Sequence, residues 1–310
     1  MFRKLLYLSA FFLLALASCT QKSPPPQDES AQSSQITNQN AFITSSNTSS
    51  EISFLAGKMV YYGSGTDLQA SNIQLRGYAL PTQQAGSTAI VAVPGRLGLS
   101  EAFKKSLSTF SQHGFSVLAV DLFNQVPDSL AAGKALETAL EQKGLPDIIA
   151  NISQAQKFIA KEAQPSQIVL IGWDTGGKWA ATTALSMPGI FAGVVSYTGN
   201  LSVVQEYTPQ SILTPIFGVF AVGDTDVSAA TMATLFTNHQ QQRAPVTFKL
   251  LQNVQGNFMD PASTTYQGAA AATVLQATLT FISGLNGAVQ AQPAGDGSQT
   301  KTNSNSGIPL

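Results

Sequence analysis

The chain has 310 residues, a formal net charge of −1 and only 11% charged residues, with two histidines and a single cysteine. One cysteine excludes an internal disulfide framework and any cysteine-built zinc or iron–sulfur centre. Two histidines leave little for a His-rich metal site, and the lack of a basic excess argues against a nucleic-acid partner. Polarity comes from neutral groups, with 28 Gln against 16 Lys plus Arg, while 44% hydrophobic residues suffice for a full core.

The first 18 residues read as an export signal. Arg3 and Lys4 supply a positive start, and Leu5 to Ala17 is an apolar run of 13 residues. That run is too short to cross a hydrocarbon layer of about 30 Å as a helix. It ends in Leu16-Ala17-Ser18-Cys19, which resembles the lipobox of bacterial lipoproteins. The resemblance implies cleavage before Cys19 and acylation of its thiol, so the chain would be anchored to a membrane rather than span it. Thr20 follows, where an Asp would signal inner-membrane retention. The expected location is therefore the bacterial cell envelope, at the outer membrane if the host is Gram-negative. After Cys19, residues 19–50 are rich in Ser, Gln, Asn, Thr and Pro. They read as a disordered tether with a reach of about 30 Å. Residues 288–310 read as a similar tail. The folded part is expected over 51–287.

Within it, Met59 to Tyr62 and Ile73 to Leu80 read as an antiparallel start. Then strands and helices alternate. Thr88 to Val93 is an apolar strand, followed by Pro94-Gly95. Ser100 to Gln112 is a helix with Ser100 as its N-cap. Val117 to Val120 is a strand. Leu130 to Gln142 and Asp147 to Glu162 are helices split at Gly144-Leu145-Pro146. Ile168 to Ile171 is a strand and Thr175 to Ser186 a helix. Strands follow at Phe191 to Tyr197 and Ile216 to Val222. The helix Ala229 to Gln242, the strand Val246 to Leu251 and a last helix from Ala262 to Leu285 complete the chain. Apolar strands alternating with helices indicate an α/β fold, a mostly parallel sheet with helices on both faces. Ligands in such sheets bind beyond the carboxyl ends of the strands.

The most informative segment is Ile168-Val169-Leu170-Ile171-Gly172-Trp173-Asp174-Thr175-Gly176-Gly177. It places Gly-x-Asp-x-Gly-Gly between a strand and a helix, the setting of a nucleophile elbow. Glycines flank the central residue because the turn is too tight for side chains. The helix N-terminus supplies backbone N–H groups for an oxyanion. Read without that context, Asp174 could instead be a helix N-cap whose carboxylate accepts N–H bonds, with Lys178 as an i,i+4 partner.

From this elbow a resemblance extends over residues 57–286. The chain resembles the dienelactone hydrolase family of the α/β-hydrolase superfamily. The residues that carry it are Val60-Tyr61-Tyr62, Arg76-Gly77-Tyr78-Ala79-Leu80-Pro81, Arg96-Leu97-Gly98-Leu99-Ser100, His113-Gly114-Phe115 through Phe123, Phe220-Ala221-Val222-Gly223-Asp224 and Gly256-Asn257-Phe258. The resemblance implies an α/β-hydrolase fold. It puts the nucleophile position at Asp174, the acid position at Asp224, and the oxyanion-type backbone donors at Thr175 and Gly95. It puts the base position at Gly256, where the family carries histidine.

The chemistry departs from the family there. His113 and His239 both lie at helix ends expected on the opposite edge of the sheet, on the order of 15–20 Å from Asp174. Asp at an elbow also occurs in haloalkane dehalogenases and epoxide hydrolases, where it attacks carbon, but a histidine-activated water must then cleave the ester. Asp121 reads as a loop-ordering residue. Tyr197, Trp173 and Phe258 are read equally as crevice walls or core. No P-loop, dinucleotide fingerprint or carboxylate cluster is visible, so no cofactor or metal is expected. The expected function is a degenerate hydrolase that binds a small-molecule ligand or an envelope protein partner. The alternatives are an active hydrolase on ester, lactone or haloalkane-type substrates using Asp174, and an envelope scaffold.

Overall fold

A computed structural model describes residues 57–63, 74–80 and 86–285, which belong to one compact unit. The expected signal, the lipidated Cys19, the tether and the 288–310 tail lie outside the described residues.

Among the described residues eight strands form one sheet: β1 (Lys58–Tyr61), β2 (Arg76–Leu80), β3 (Thr88–Val93), β4 (Ser116–Val120), β5 (Gln167–Trp173), β6 (Gly193–Tyr197), β7 (Ile216–Ala221) and β8 (Val246–Leu251). Their order across the sheet is β1-β2-β4-β3-β5-β6-β7-β8. β1 and β2 pair antiparallel, as do β2 and β4, and every other pairing is parallel. The expected antiparallel start and parallel continuation are both present. β3 and β5 are adjacent and buried along their whole length, which is why they read as unbroken apolar runs.

Among the described residues, six helices cover the two faces: α1 (Glu101–Gln112), α2 (Leu130–Lys143), α3 (Leu145–Ala163), α4 (Thr175–Ser186), α5 (Ala229–Gln241) and α6 (Gly268–Leu285). The pleat sorts the core. Val91 and Val93 join Ile148 and Ile152 of α3, Trp179 of α4 and Phe236 of α5 on one face. Ile90 and Ala92 join Phe103 and Leu107 of α1 and Val274 and Ile282 of α6 on the other. Each fully buried Val, Ile or Phe contributes about 1.5–3 kcal/mol through apolar area removed from water.

The expected N-cap Ser100 accepts from Phe103 N–H at 3.1 Å. Gly144 separates α2 from α3 with a φ of 113°, which a side chain would resist. The last helix is shorter than its apolar pattern suggested. It begins at Gly268 rather than Ala262, because residues 260–266 spend their polar groups on turns. Asp260 Oδ1 accepts Ala262 N–H at 2.9 Å, and Ser263 Oγ accepts Thr265 N–H at 3.2 Å. Two short 3-10 turns, Ser202–Glu206 and Pro209–Ser211, lie in the β6–β7 connection. Among the described residues α6 alone is long and apolar enough to cross a membrane by length and composition. Here it lies on the sheet: Phe281 stacks near Phe217 at 5.6 Å, and Thr278 bonds Tyr197 Oη at 2.8 Å.

Candidate functional site

β5 ends at Trp173 and α4 begins at Thr175, so Asp174 alone makes the turn between strand and helix. Its φ of 51° and ψ of −125° lie where non-glycine residues are strained, at a cost of about 1–3 kcal/mol. The flanking glycines make the turn possible. A Cβ on Gly176 would lie 2.2 Å from the Val93 carbonyl oxygen, and one on Gly172 would lie 2.3 Å from that of Gly176. The backbone is that of a nucleophile elbow. Asp174 does stand at the N-cap position of α4, but its side chain accepts no capping hydrogen bond from the helix. The suggested Lys178 partner fails, since Lys178 Nζ bonds Glu141 Oε1 of α2 at 2.8 Å.

What meets Asp174 is Arg96, from the loop after β3. The Arg96 guanidinium bonds Glu137 Oε2 of α2 at 2.6 Å and Asp226 Oδ2 at 2.6 Å, and lies 3.2 Å from Asp174 Oδ1. The backbone N–H of Arg96 also bonds the Asp174 carboxylate. Asp174 Oδ2 is buried and has no hydrogen-bond partner. Glu137 completes the group by accepting from Thr175 Oγ1 at 2.8 Å. Glu137 and Glu141 are one turn apart on α2, so one helix face grips Arg96, Thr175, Lys178 and Trp179. α2 comes this close because Gly133 has no side chain; a Cβ there would lie 2.0 Å from the Arg96 carbonyl oxygen.

The electrostatics follow from burial. Desolvation pushes the Asp174 carboxyl up to about 7, against the opposing pull of Arg96. Burial alone would lower Arg96, but Asp174, Glu137 and Asp226 together hold it above its ordinary value. The contact favours the charged form of both partners, but at Asp174 burial outweighs it.

Asp224 follows β7. Its Oδ1 accepts the backbone N–H groups of Asp226 and Val227 at 2.9 and 3.1 Å. Burial raises its pKa, and those two N–H bonds oppose the rise. Gly256, from the loop after β8, lies directly against it: a Cβ at 256 would be 2.9 Å from Asp224 Cγ. The two positions expected to hold the acid and the base are therefore adjacent, and nothing projects from Gly256. A cavity of about 410 Å³ opens here, lined by Arg96, Leu130, Lys134, Asp224, Gly256 and Thr265 among others. Asp174 does not line it.

The remaining candidates go elsewhere. Gly95 backs onto the elbow, where a Cβ would lie 2.9 Å from Asp174 Cβ. His113 Nδ1 pairs with the Thr109 carbonyl at 2.7 Å and His239 Nδ1 with that of Leu235 at 3.0 Å, each within its own helix, and neither lines the cavity. Asp121 is ion-paired to Arg76 of the neighbouring strand at 2.7 Å. Trp173, Tyr197 and Phe258 are buried core residues, with Trp173 edge-on to Phe103 at 4.9 Å and to Tyr197 at 5.1 Å. Asp260 is buried, accepts Ala262 N–H and is pushed up to about 6 by desolvation. Among the described residues no group of three or more His, Cys, Asp or Glu could hold a metal ion. Sequence reasoning missed Arg96 as a site residue, and Glu137 and Asp226 altogether. The one available signal was an arginine directly after the Pro94-Gly95 loop that faces the elbow.

A mostly parallel eight-stranded sheet with an elbow after β5 and a carboxylate after β7 defines an α/β-hydrolase fold. The chain belongs to the dienelactone hydrolase family, whose profile matches residues 75–285. Solved structures share the fold at low identity. The protein called m3DLH is 17% identical with a TM-score of 0.63, covering 74% of this chain and 98% of that one. A dienelactone hydrolase-like promiscuous phosphotriesterase from metagenomic libraries is 18% identical with a TM-score of 0.62, covering 74% and 98%. A dienelactone hydrolase from Klebsiella pneumoniae subsp. pneumoniae MGH 78578 is 15% identical with a TM-score of 0.58, covering 73% and 98%. Comparison with curated proteins finds no match.

Proposed function

We propose that this domain is a hydrolase-fold binding protein without ester turnover, held at a bacterial envelope by a lipid on Cys19, and that it takes a small-molecule ligand or an envelope protein partner. One observation carries the reading: the Arg96 guanidinium, itself bound to Glu137 and Asp226, sits on the side chain at the nucleophile position. Acyl transfer needs a nucleophile, a base to activate it and donors for the oxyanion. Asp174 already accepts from Arg96, and when ionised it would repel a developing oxyanion. A covalent ester on Asp174 would need a base-activated water, and Gly256 offers no base beside Asp224.

The test is hydrolysis of p-nitrophenyl acetate, a simple lactone and 1-bromobutane by the full-length chain and by Asp174→Ala. Rates for both are expected to match buffer. Turnover above buffer that disappears in Asp174→Ala would establish the active-hydrolase alternative instead. The anchor is tested separately by expression in a bacterial host with labelled palmitate. Label and membrane fractionation are expected for the wild type, and Cys19→Ala should lose both. Equal labelling of the two chains would reject lipidation at Cys19.

A further inference from the structure

The cavity beside Asp224 has a hydrogen-bonding inventory that narrows its occupant. Asp224 Oδ1 is committed to the Asp226 and Val227 amides. Its second oxygen takes no hydrogen bond from any described residue. Gly256 lies against the carboxylate without covering it, so Asp224 remains part of the cavity lining. The guanidinium on the same wall offers little to an anion. Arg96 is already shared among Glu137, Asp226 and Asp174. Lys134 is exposed on α2. The Asp224 carboxylate lines a space wide enough for water, and a charged N–H group makes a stronger hydrogen bond to it than a neutral donor does.

We infer that the cavity binds a small organic cation with N–H donors, of the imidazolium or alkylammonium class, seated on the free oxygen of Asp224. The inference rests on the non-hydrolytic binding reading above and gives it a ligand class. At about 410 Å³ the space falls within the range of small-molecule sites and exceeds an imidazole ring. The ligand therefore continues beyond its cationic head, along Leu130 and Thr265, which line the same cavity.

The experiment is a ligand-observed NMR titration of the full-length chain with imidazole and with n-butylamine, and with acetate as the anionic counterpart. Both cations are expected to bind saturably at about millimolar concentration, as suits such small groups, and acetate not to bind. Asp224→Asn keeps an oxygen for the two loop amides and turns the free oxygen into an NH₂ group. It is expected to weaken cation binding on the order of tenfold or more. Gly256→Ala, which pushes a methyl group against the same carboxylate, gives a second reading if Asp224→Asn does not fold. The inference is overturned if neither cation binds the wild type, if folded Asp224→Asn or Gly256→Ala binds them equally well, or if acetate binds more tightly. Hydrolysis of p-nitrophenyl acetate by the same samples separates the two ideas. Turnover would remove the non-hydrolytic reading whatever the titration shows, whereas absent cation binding without turnover removes only this ligand class.

Discussion

Arg96→Met should destabilise the domain by about 3–5 kcal/mol at pH 8, the usual cost of removing one partner from a buried ion-pair group. Methionine keeps most of the side-chain volume, so the loss isolates charge from packing. Arg96 and Glu137 are 14% and 13% exposed, and Asp174 is 10% exposed, so water cannot replace the missing cation fully. Asp226, at 48%, can turn to solvent and contributes least. Without the guanidinium the Asp174 carboxyl moves above the value of about 7 that it has beside Arg96. It then stays neutral at pH 5, and the deficit of the variant should be smaller there than at pH 8. Denaturant unfolding at the two pH values measures this. A loss below about 0.5 kcal/mol at pH 8, the scale of an ordinary surface substitution, would mean that Arg96 does not organise the site.

Asp174→Asn should change the shape of the stability–pH curve. A carboxyl raised from 3.8 to about 7 by burial binds its proton more tightly folded than unfolded. Its contribution to stability is fully present below about pH 4 and is lost as pH rises through about 7. The span corresponds to about 4 kcal/mol, at about 1.4 kcal/mol per unit. Asn carries no such proton. The variant should therefore gain on the wild type progressively between pH 4 and pH 8. Parallel curves would show that Asp174 is not buried as described.

Much of the fold was legible because its signals are local. Thr88–Val93 and Val246–Leu251 read as strands, and Thr175–Ser186 as a helix, with the ends the structure gives them. Apolar runs between Gly, Pro and capping residues decide such segments within a few neighbours. The helix start at Gly268 was missed for the same reason. Ala262 to Gln267 is compatible with helix by composition, and only the turns built by Asp260 and Ser263 exclude it.

The site divides along a similar line. The elbow at Asp174 and the absence of a histidine at Gly256 belong to the sequence, because a tight strand–turn–helix and a missing side chain are properties of short segments. No carboxylate cluster is visible along the chain, since Glu137, Asp174 and Asp226 are each at least 37 residues apart. The fold gathers them around Arg96. Whether Asp174 faces a ligand or a guanidinium depends on how closely α2 approaches the loop after β3. Gly133, a residue without distinction in the sequence, permits that approach by leaving room for the Arg96 carbonyl. The chain by itself thus determined the family's scaffold and put Asp174 in the tight turn and Gly256 beside Asp224. Tertiary packing decided which groups meet Asp174, because ion pairing and desolvation act between surfaces that only folding brings together.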